Sequence, residues 1–168
     1  MLKVQRFKMT EENKKIAVIR IKGKTGLKHD VKTTFDKLKL YNKNSCVIIA
    51  NTKPFLGMLE KIKNASTWGE ISEKTYESLL ANRGKLPGNK RLTDEYVKQK
   101  TKTDIKGLTK ELITFKREIK DVPGLKTFFK LNPPRKGFER KGIKVPFAQG
   151  GVLGYRKDKI NDLLERMI

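Results

Sequence analysis

The sequence is poor in the residue types that build most metal and nucleophilic sites. Among 168 residues it has one cysteine, Cys46, and one histidine, His29. A lone cysteine excludes an internal disulfide and a cysteine-based zinc site, and Cys46 lies in the apolar run CVIIA, which is typical of a core residue. His29 has no second histidine beside it to share a metal ion and no serine or cysteine in a recognisable nucleophile pattern. We therefore expect no metal, no cofactor and no small-molecule substrate.

Long apolar runs and acidic residues are also scarce. No run approaches the roughly 18 apolar residues of a membrane-spanning helix, and no signal-peptide pattern opens the chain, so we expect a cytoplasmic protein with no membrane partner. Against 40 Lys and Arg stand 18 Asp and Glu, which gives a net charge of +22. Such an excess repels itself in a folded chain unless a polyanion neutralises it. A nucleic acid is the partner that this charge indicates.

The motifs of nucleotide-binding enzymes are incomplete. Gly137 and Gly142 have the spacing of a phosphate-binding loop, but Ile143 stands where that loop needs a lysine. The glycine-rich run at 150–154 follows no strand of a β-α-β unit, so it indicates a turn and not a dinucleotide site. Acidic residues at 70–77 are ordinary partners of a helix N-terminus. We expect no catalytic residue.

The first part of the chain predicts an α+β fold. The strand beginning at Lys15 alternates apolar and polar residues, with Arg20 on the outer face, and SCVIIAN at 45–51 is apolar enough to be the most buried strand. A helix capped by Asp30 follows the first strand, and a helix capped by Thr52 follows the second. STWGEI at 66–71 supplies a third strand. Residues 16–71 are thus predicted to form a β-α-β-α-β core domain, a three-stranded sheet packed on two helices.

Beyond this core the pattern changes to helices separated by basic turns. Ser72, Thr93 and Asp158 are candidate N-caps, and a further helix starts near Asp104. The last helix has an apolar stripe that must pack back onto the body. Residues 72–168 are predicted to be a helical and extended C-terminal extension. Residues 1–15 form a basic N-terminal extension, either an arm or an additional strand.

The stretch 131–156 is the most unusual segment of this extension. Its prolines and glycines disfavour helix and strand, and it carries one acidic residue among many cations and three spaced aromatic rings. Cations suit phosphates and flat rings suit bases or riboses, so we interpret it as an RNA-binding loop; a disordered linker is the alternative. We expect its amides to exchange rapidly in the free protein. Its candidate contacts are Arg135, Lys136, Phe138, Arg140, Lys141, Lys144, Tyr155 and Arg156.

Two shorter turns have the same basic character. One surrounds Gly23 and Gly26, and the other is the loop KLPGNKR at 85–91. A single charged run is usually a solvated surface, but three basic segments on one small chain favour a binding surface. Their candidate contacts are Lys22, Lys24, Lys28, Lys85, Asn89, Lys90 and Arg91.

Three motifs in order identify a family resemblance: GNKRLTDEYV at 88–97, PPRKGFERKGIK at 133–144 and GGVLGYR at 150–156. Together they resemble the universal large-subunit ribosomal protein family named L-thirty in bacteria and archaea and L-seven in eukaryotes, in its archaeal form. The similarity extends from about Ile16 to Met167. It implies a ferredoxin-like core and a cytoplasmic, ribosome-bound structural protein. The implied partners are large-subunit rRNA, 5S rRNA and neighbouring ribosomal proteins.

Two other functions are compatible with the residues alone. The runner-up is a free RNA-binding or RNA-chaperone protein that acts off the ribosome, and the third is a nuclease or RNA-modifying enzyme. Sedimentation with large subunits separates the first from a ribosomal component, and turnover on RNA with added magnesium tests the enzyme.

Overall fold

The computed structural model describes residues 14–168, so residues 1–13 of the predicted N-terminal extension lie outside the described residues. Lys15, its last residue, begins the first strand. The strands are β1 Lys15–Arg20, β2 Ser45–Ala50, β3 Ser66–Glu70, β4 Phe128–Lys130 and β5 Gly154–Tyr155. The helices are α1 His29–Lys37, α2 Lys53–Ile62, α3 Glu73–Arg83, α4 Asp94–Thr101, α5 Ile105–Ile113 and α6 Ile160–Met167.

The strands form one sheet in the order β4-β2-β1-β3-β5. β1 lies between β2 and β3 and is antiparallel to both, so β2-α2-β3 is a split β-α-β unit around it. This confirms the α+β, ferredoxin-like core. β4 adds to β2 in the antiparallel direction and β5 adds to β3 in the parallel direction. The C-terminal part therefore supplies both edge strands of the sheet, which the sequence did not predict.

The most buried strand is β1, so the expectation for β2 was wrong. Every residue of β1 after Lys15 is buried, because the strand has a neighbour on each side and helices on each face. Ile48 and Ala50 of β2 stay partly exposed, since β4 pairs only with Ser45, Cys46 and Val47. A continuous apolar run shows that a strand is buried, but it does not show which strand is central.

Helices cover both faces of the sheet. On one face, Val18 packs with Phe35 of α1, Leu59 of α2 and Trp68 of β3 in an apolar cluster. On the other face, Ala17 and Ile19 belong to a larger cluster formed with α3, α5 and α6. Since successive strand residues point to opposite faces, β1 contributes to both clusters. The C-terminal extension is thus the third layer of an α-β-α arrangement.

Helix caps follow the sequence in part. Ser72 and Thr93 each accept a hydrogen bond from the backbone N–H three residues on, as predicted. Thr52 occupies the N-cap position of α2 without a side-chain cap bond. Asp30 lies within the first turn of α1, and Asp158 lies in a 3-10 turn before α6, so these two cap predictions were wrong. No helix within residues 14–168 is long and apolar enough to cross a membrane.

Candidate nucleic-acid interface

Two of the three basic segments leave the sheet at the same end, which we call the loop end. There β1 and β4 finish while β2, β3 and β5 begin. The pairs Arg20↔Ser66, Ser45↔Lys130 and Thr67↔Gly154 fix this arrangement. Because β1 runs into the turn at 22–28, β4 ends just before the stretch 131–156 and β5 begins within it, both segments adjoin the loop end.

The turn at 22–28 is held by Arg20, which is buried and not outward-facing as its place in the alternation suggested. Its Nη1 donates to the carbonyls of Leu40 at 2.7 Å and Tyr41 at 3.3 Å. Its Nε and Nη2 donate to the carbonyls of Lys22 at 2.9 Å and Gly23 at 3.0 Å. A buried guanidinium needs such partners. The arginine therefore ties the turn to the segment after α1.

The candidate cations of this turn are accessible. Lys24 and Lys28 are exposed and Lys22 is half-buried. Gly26 has a φ of +73°, a left-handed conformation that glycine adopts without steric cost. The turn thus presents lysines on a backbone that is fixed from within.

The stretch 131–156 is folded, which excludes the linker alternative. The amides of Asn132 and Arg135 donate to the last turn of α6 at 3.0 and 2.9 Å. Farther along, the Val145 carbonyl accepts from the amides of Val152 at 3.0 Å and Leu153 at 3.2 Å. It also contains β5, so the expectation of no regular structure was wrong. Rapid amide exchange of the stretch in the free protein stays a prediction.

Arg156 is a correction to the predicted contacts. Its side chain is 1% exposed. Nε donates to Thr67 Oγ1 at 2.9 Å, Nη1 to Glu139 Oε1 at 2.8 Å and Nη2 to the Val152 carbonyl at 2.9 Å. The guanidinium also lies 4.7 Å from the ring centre of Phe147. With its donors used inside the protein, Arg156 has none directed at a ligand.

Glu139 is the acceptor that joins this arginine to the end of α6. Arg166 Nη2 lies 3.5 Å from Glu139 Oε1, and Arg166 Nη1 donates to the Gly137 carbonyl at 3.0 Å. Burial by itself raises the pKa of the Glu139 carboxyl, but hydrogen bonds from Arg156 and the charges of both arginines outweigh it and lower this pKa below its ordinary value. The carboxylate is therefore ionised at neutral pH.

The aromatic rings of the stretch have partners within the protein. Phe138 packs against the larger apolar cluster. Tyr155 is half-buried against the other cluster, and its hydroxyl donates to Glu70 Oε1 at 2.5 Å. Burial and this hydrogen bond raise the pKa of Tyr155. The alternation of cations and rings that suggested base stacking thus also serves to fold the stretch.

Five predicted cations of the stretch are on the surface. They are Arg135, Lys136, Arg140, Lys141 and Lys144, all exposed. Lys136 has a φ of +63°, in the turn that the Gly137 amide closes by donating to the Pro134 carbonyl at 3.0 Å. Their backbone is fixed by the bonds to α6 and across the stretch, so these charges are presented in a defined arrangement.

The third basic segment, at 85–91, follows α3 and lies beside the residues that precede β4. Lys85 and Arg91 form a β-bridge, and the amide of Lys126 donates to the Lys85 carbonyl at 3.0 Å. Lys126 Nζ also donates to Asn89 Oδ1 at 3.1 Å. Because Lys126 precedes β4, this segment lies beside the start of that strand. Lys90 and Arg91 are exposed there, and Lys126 adds a cation that the sequence analysis did not select.

A basic cleft of about 270 Å³ also escaped the sequence analysis. It lies beside the part of β2 that β4 leaves uncovered. Lys15 Nζ is 4.0 Å from the ring centre of Phe115 there. Its charged lining residues are Lys15, Lys37, Lys39, Lys120 and Glu118. Lysines from distant segments meet only in the fold, so no local pattern indicated this cleft.

A family model described as Ribosomal protein L30p/L7e matches residues 16–65. Large ribosomal subunit protein uL30 of Methanococcus maripaludis is 45% identical over 90% of this chain and 98% of its own length. The chain belongs to the ribosomal protein L30p/L7e family. The uL30 protein of Methanosphaera stadtmanae is 48% identical over 90% of this chain and 99% of its own. That of Methanopyrus kandleri is 47% identical over 88% of this chain and 100% of its own.

Membership of the L30p/L7e family confirms the resemblance and its archaeal character. The family model matches the segment from β1 to the residue before β3. The archaeal relatives also match most of the C-terminal part, because an alignment over 152 of 168 residues cannot omit it. The L30p/L7e proteins are structural ribosomal proteins and not enzymes, in agreement with the incomplete enzyme motifs.

Proposed function

We propose that this chain is a structural constituent of the large ribosomal subunit that binds and stabilises large-subunit rRNA in the cytoplasm. The observation that carries the proposal is the presence of exposed cations on two rigidly held segments at the loop end of an L30p/L7e fold. The relatives with 45–48% identity are named as large ribosomal subunit proteins. No catalytic role is part of this function.

The physical argument rests on phosphate recognition. Arg135 and Arg140 have guanidinium groups that can hold a phosphate through two parallel hydrogen bonds, and nearby lysines supply further charge. Structured RNA is recognised through shape and backbone contacts, which favours cations in a fixed arrangement over a mobile tail. The net charge of +22 provides the neutralisation that a folded rRNA segment needs.

The proposed RNA contacts are the exposed cations of the three segments, the half-buried Lys22 and Lys85, and Asn89. At the loop end they are Lys22, Lys24, Lys28, Arg135, Lys136, Arg140, Lys141 and Lys144. Beside β4 they are Lys85, Asn89, Lys90 and Arg91. Phe138 and Tyr155 remain proposed contacts only through the part of each ring that is solvent-accessible. Contact with 5S rRNA and with neighbouring ribosomal proteins is a finer part of the proposal, implied by the family.

Sedimentation tests the ribosomal assignment. Tagged protein in a methanogen extract should remain with large subunits through a high-magnesium gradient. A protein that spreads into the light fractions would instead be the free RNA-binding or chaperone protein of the alternative function. Crosslinking followed by sequencing of the attached RNA tests the 5S contact.

Salt dependence tests the phosphate contacts. If about eight phosphates are neutralised, raising the salt from about 50 to 200 mM should weaken RNA binding by roughly 10⁴-fold. Arg135→Ala should lower the slope of log K against log salt by about one. Lys74→Ala is the matched control, because Lys74 is exposed at the start of α3, at the opposite end of β3 from the loop end. Equal slopes for Arg135→Ala and Lys74→Ala would contradict the placement of the interface.

A further inference from the structure

Glu139 is the one acidic residue in the stretch 131–156, where a negative charge is unfavourable for binding phosphates. A carboxylate among cations that face phosphates weakens the attraction between them. The side chain of Glu139 is, however, only 23% exposed. It receives Arg156 Nη1 at 2.8 Å and Arg156 Nη2 at 3.4 Å, and Arg166 Nη2 lies at 3.5 Å. The carboxylate is directed inward.

These contacts connect three parts of the fold. Arg156 is itself bonded to Thr67 of β3, so through it Glu139 is tied to the sheet. Arg166 belongs to α6 and also donates to the Gly137 carbonyl, two residues before Glu139. The connection thus joins the sheet, the terminal helix and the middle of the stretch. Glu139 is the residue on which both arginines converge.

The exposed cations next to Glu139 depend on its position. Arg140 and Lys141 follow it directly, and Arg135 and Lys136 precede it within the same turn region. Without the carboxylate, the buried guanidinium of Arg156 would lose its charged partner, and Arg166 would keep only its bond to the Gly137 carbonyl. A charge that is already held in place loses less conformational entropy when it binds, so fixing the segment in advance strengthens binding.

We propose that Glu139 is a positioning residue for RNA binding, which holds the cations of the stretch 131–156 in their binding arrangement by pairing with Arg156 and Arg166. The inference rests on the proposed rRNA binding and names the residue that prepares the surface for it. Glu139 acts through the two arginines and not by touching RNA.

The substitution Glu139→Gln distinguishes a positioning role from simple charge attraction, because the two predict opposite changes in RNA affinity. It keeps the size of the side chain and removes one negative charge, so attraction to phosphates alone predicts tighter binding. The positioning role predicts weaker binding, by about tenfold. Because Glu139 makes no phosphate contact, the slope of log K against log salt should stay that of the parent protein.

The experiment uses the full chain and large-subunit rRNA purified from Methanococcus maripaludis, the source of one relative. The dissociation constant is measured at several salt concentrations, and amide exchange of residues 137–153 is followed in the free protein. Glu165→Gln is the matched control, because Glu165 is exposed on α6 next to Arg166 and its loss changes the net charge equally. Glu139→Gln should bind about tenfold more weakly, with faster exchange in 137–153, while Glu165→Gln binds at least as tightly as the parent.

Binding by Glu139→Gln that equals or exceeds that of Glu165→Gln would overturn the inference and leave the proposed function intact. A parent protein that fails to bind the rRNA would overturn the proposed function itself. If Glu139→Gln does not fold, Arg166→Met removes the side-chain contacts of α6 with Glu139 and Gly137, keeps the backbone bonds of Asn132 and Arg135, and should give the same faster exchange and weaker binding. The faster exchange is the deciding measurement, because the loss of a cation weakens binding by itself. Parent-like exchange and affinity in Arg166→Met would then overturn the inference.

Discussion

The turn at 22–28 and the stretch 131–156 both present cations at the loop end, but different acceptors hold them. Arg20 fixes the turn through four backbone carbonyls. Arg156 fixes the stretch through a hydroxyl, a carbonyl and the carboxylate of Glu139. The carbonyl partners of Arg20 are neutral and do not titrate. The carboxylate of Glu139 is charged, and it also pairs with Arg166 of α6. The short turn between β1 and α1 is held by one buried arginine, whereas the long stretch has ties to both the sheet and α6.

Arg20→Met should have the largest effect, and it acts on the turn. The substitution keeps an apolar side chain over Phe35 but leaves the four carbonyls without their donor. Unmade hydrogen bonds to buried acceptors are costly, so we expect a loss of at least about 3 kcal/mol in the free energy of unfolding. Urea denaturation measures this loss. Lys22→Met, on a half-buried neighbour, should change stability by less than about 0.5 kcal/mol; equal midpoints for the two variants would show that Arg20 does not hold the turn.

A pair of glycine substitutions contrasts the packing of the two segments. A Cβ at Gly151 would meet the Val145 carbonyl oxygen, the acceptor of the bridging bonds across the stretch, whereas a Cβ at Gly23 has no atom within 4 Å. Gly151→Ala should therefore cost about 1–3 kcal/mol of stability, as overpacking typically does. Gly23→Ala should be close to neutral. Thermal unfolding of both variants tests this prediction. An unchanged midpoint for Gly151→Ala would mean that the backbone around Val145 can shift to accept a Cβ without loss of stability.

Protonation of Glu139 at acid pH should change the structure of the stretch 131–156 but not that of the turn at 22–28. We expect it to be the smallest of the three effects. The pKa of Glu139 is lowered in the folded protein, so its contribution is present above the ordinary value of 4.5 and is lost as the pH falls through the lowered pKa. As the pH falls below the ordinary value of 4.5, the backbone amide NMR signals of residues 137–151 should shift, while those of Gly23 and Gly26 stay unchanged. Glu139→Gln should abolish the shift. Parallel changes in both segments would contradict the assignment to Glu139.

Local patterns were enough for much of the fold. The apolar runs at 15–21 and 45–51 predicted β1 and β2, and the stripe at Ile160, Leu163, Leu164 and Met167 predicted a helix that is buried on one face. Ser72 and Thr93 predicted helix starts because a cap depends on residues within one turn. Each of these features involves neighbours in sequence, which is why the sequence could reveal them.

The sequence by itself determined the α+β core, the strongly basic surface and, through three motifs, the family. Only the tertiary structure decided which cations face solvent. Arg135 and Arg156 look alike in the sequence, yet one is exposed and the other is buried against Thr67, a residue 89 positions away. β4 and β5 have three and two residues and are strands only because β2 and β3 offer them partners. Burial and pairing of this kind depend on contacts between distant segments, and a local pattern contains no information about which segments will meet.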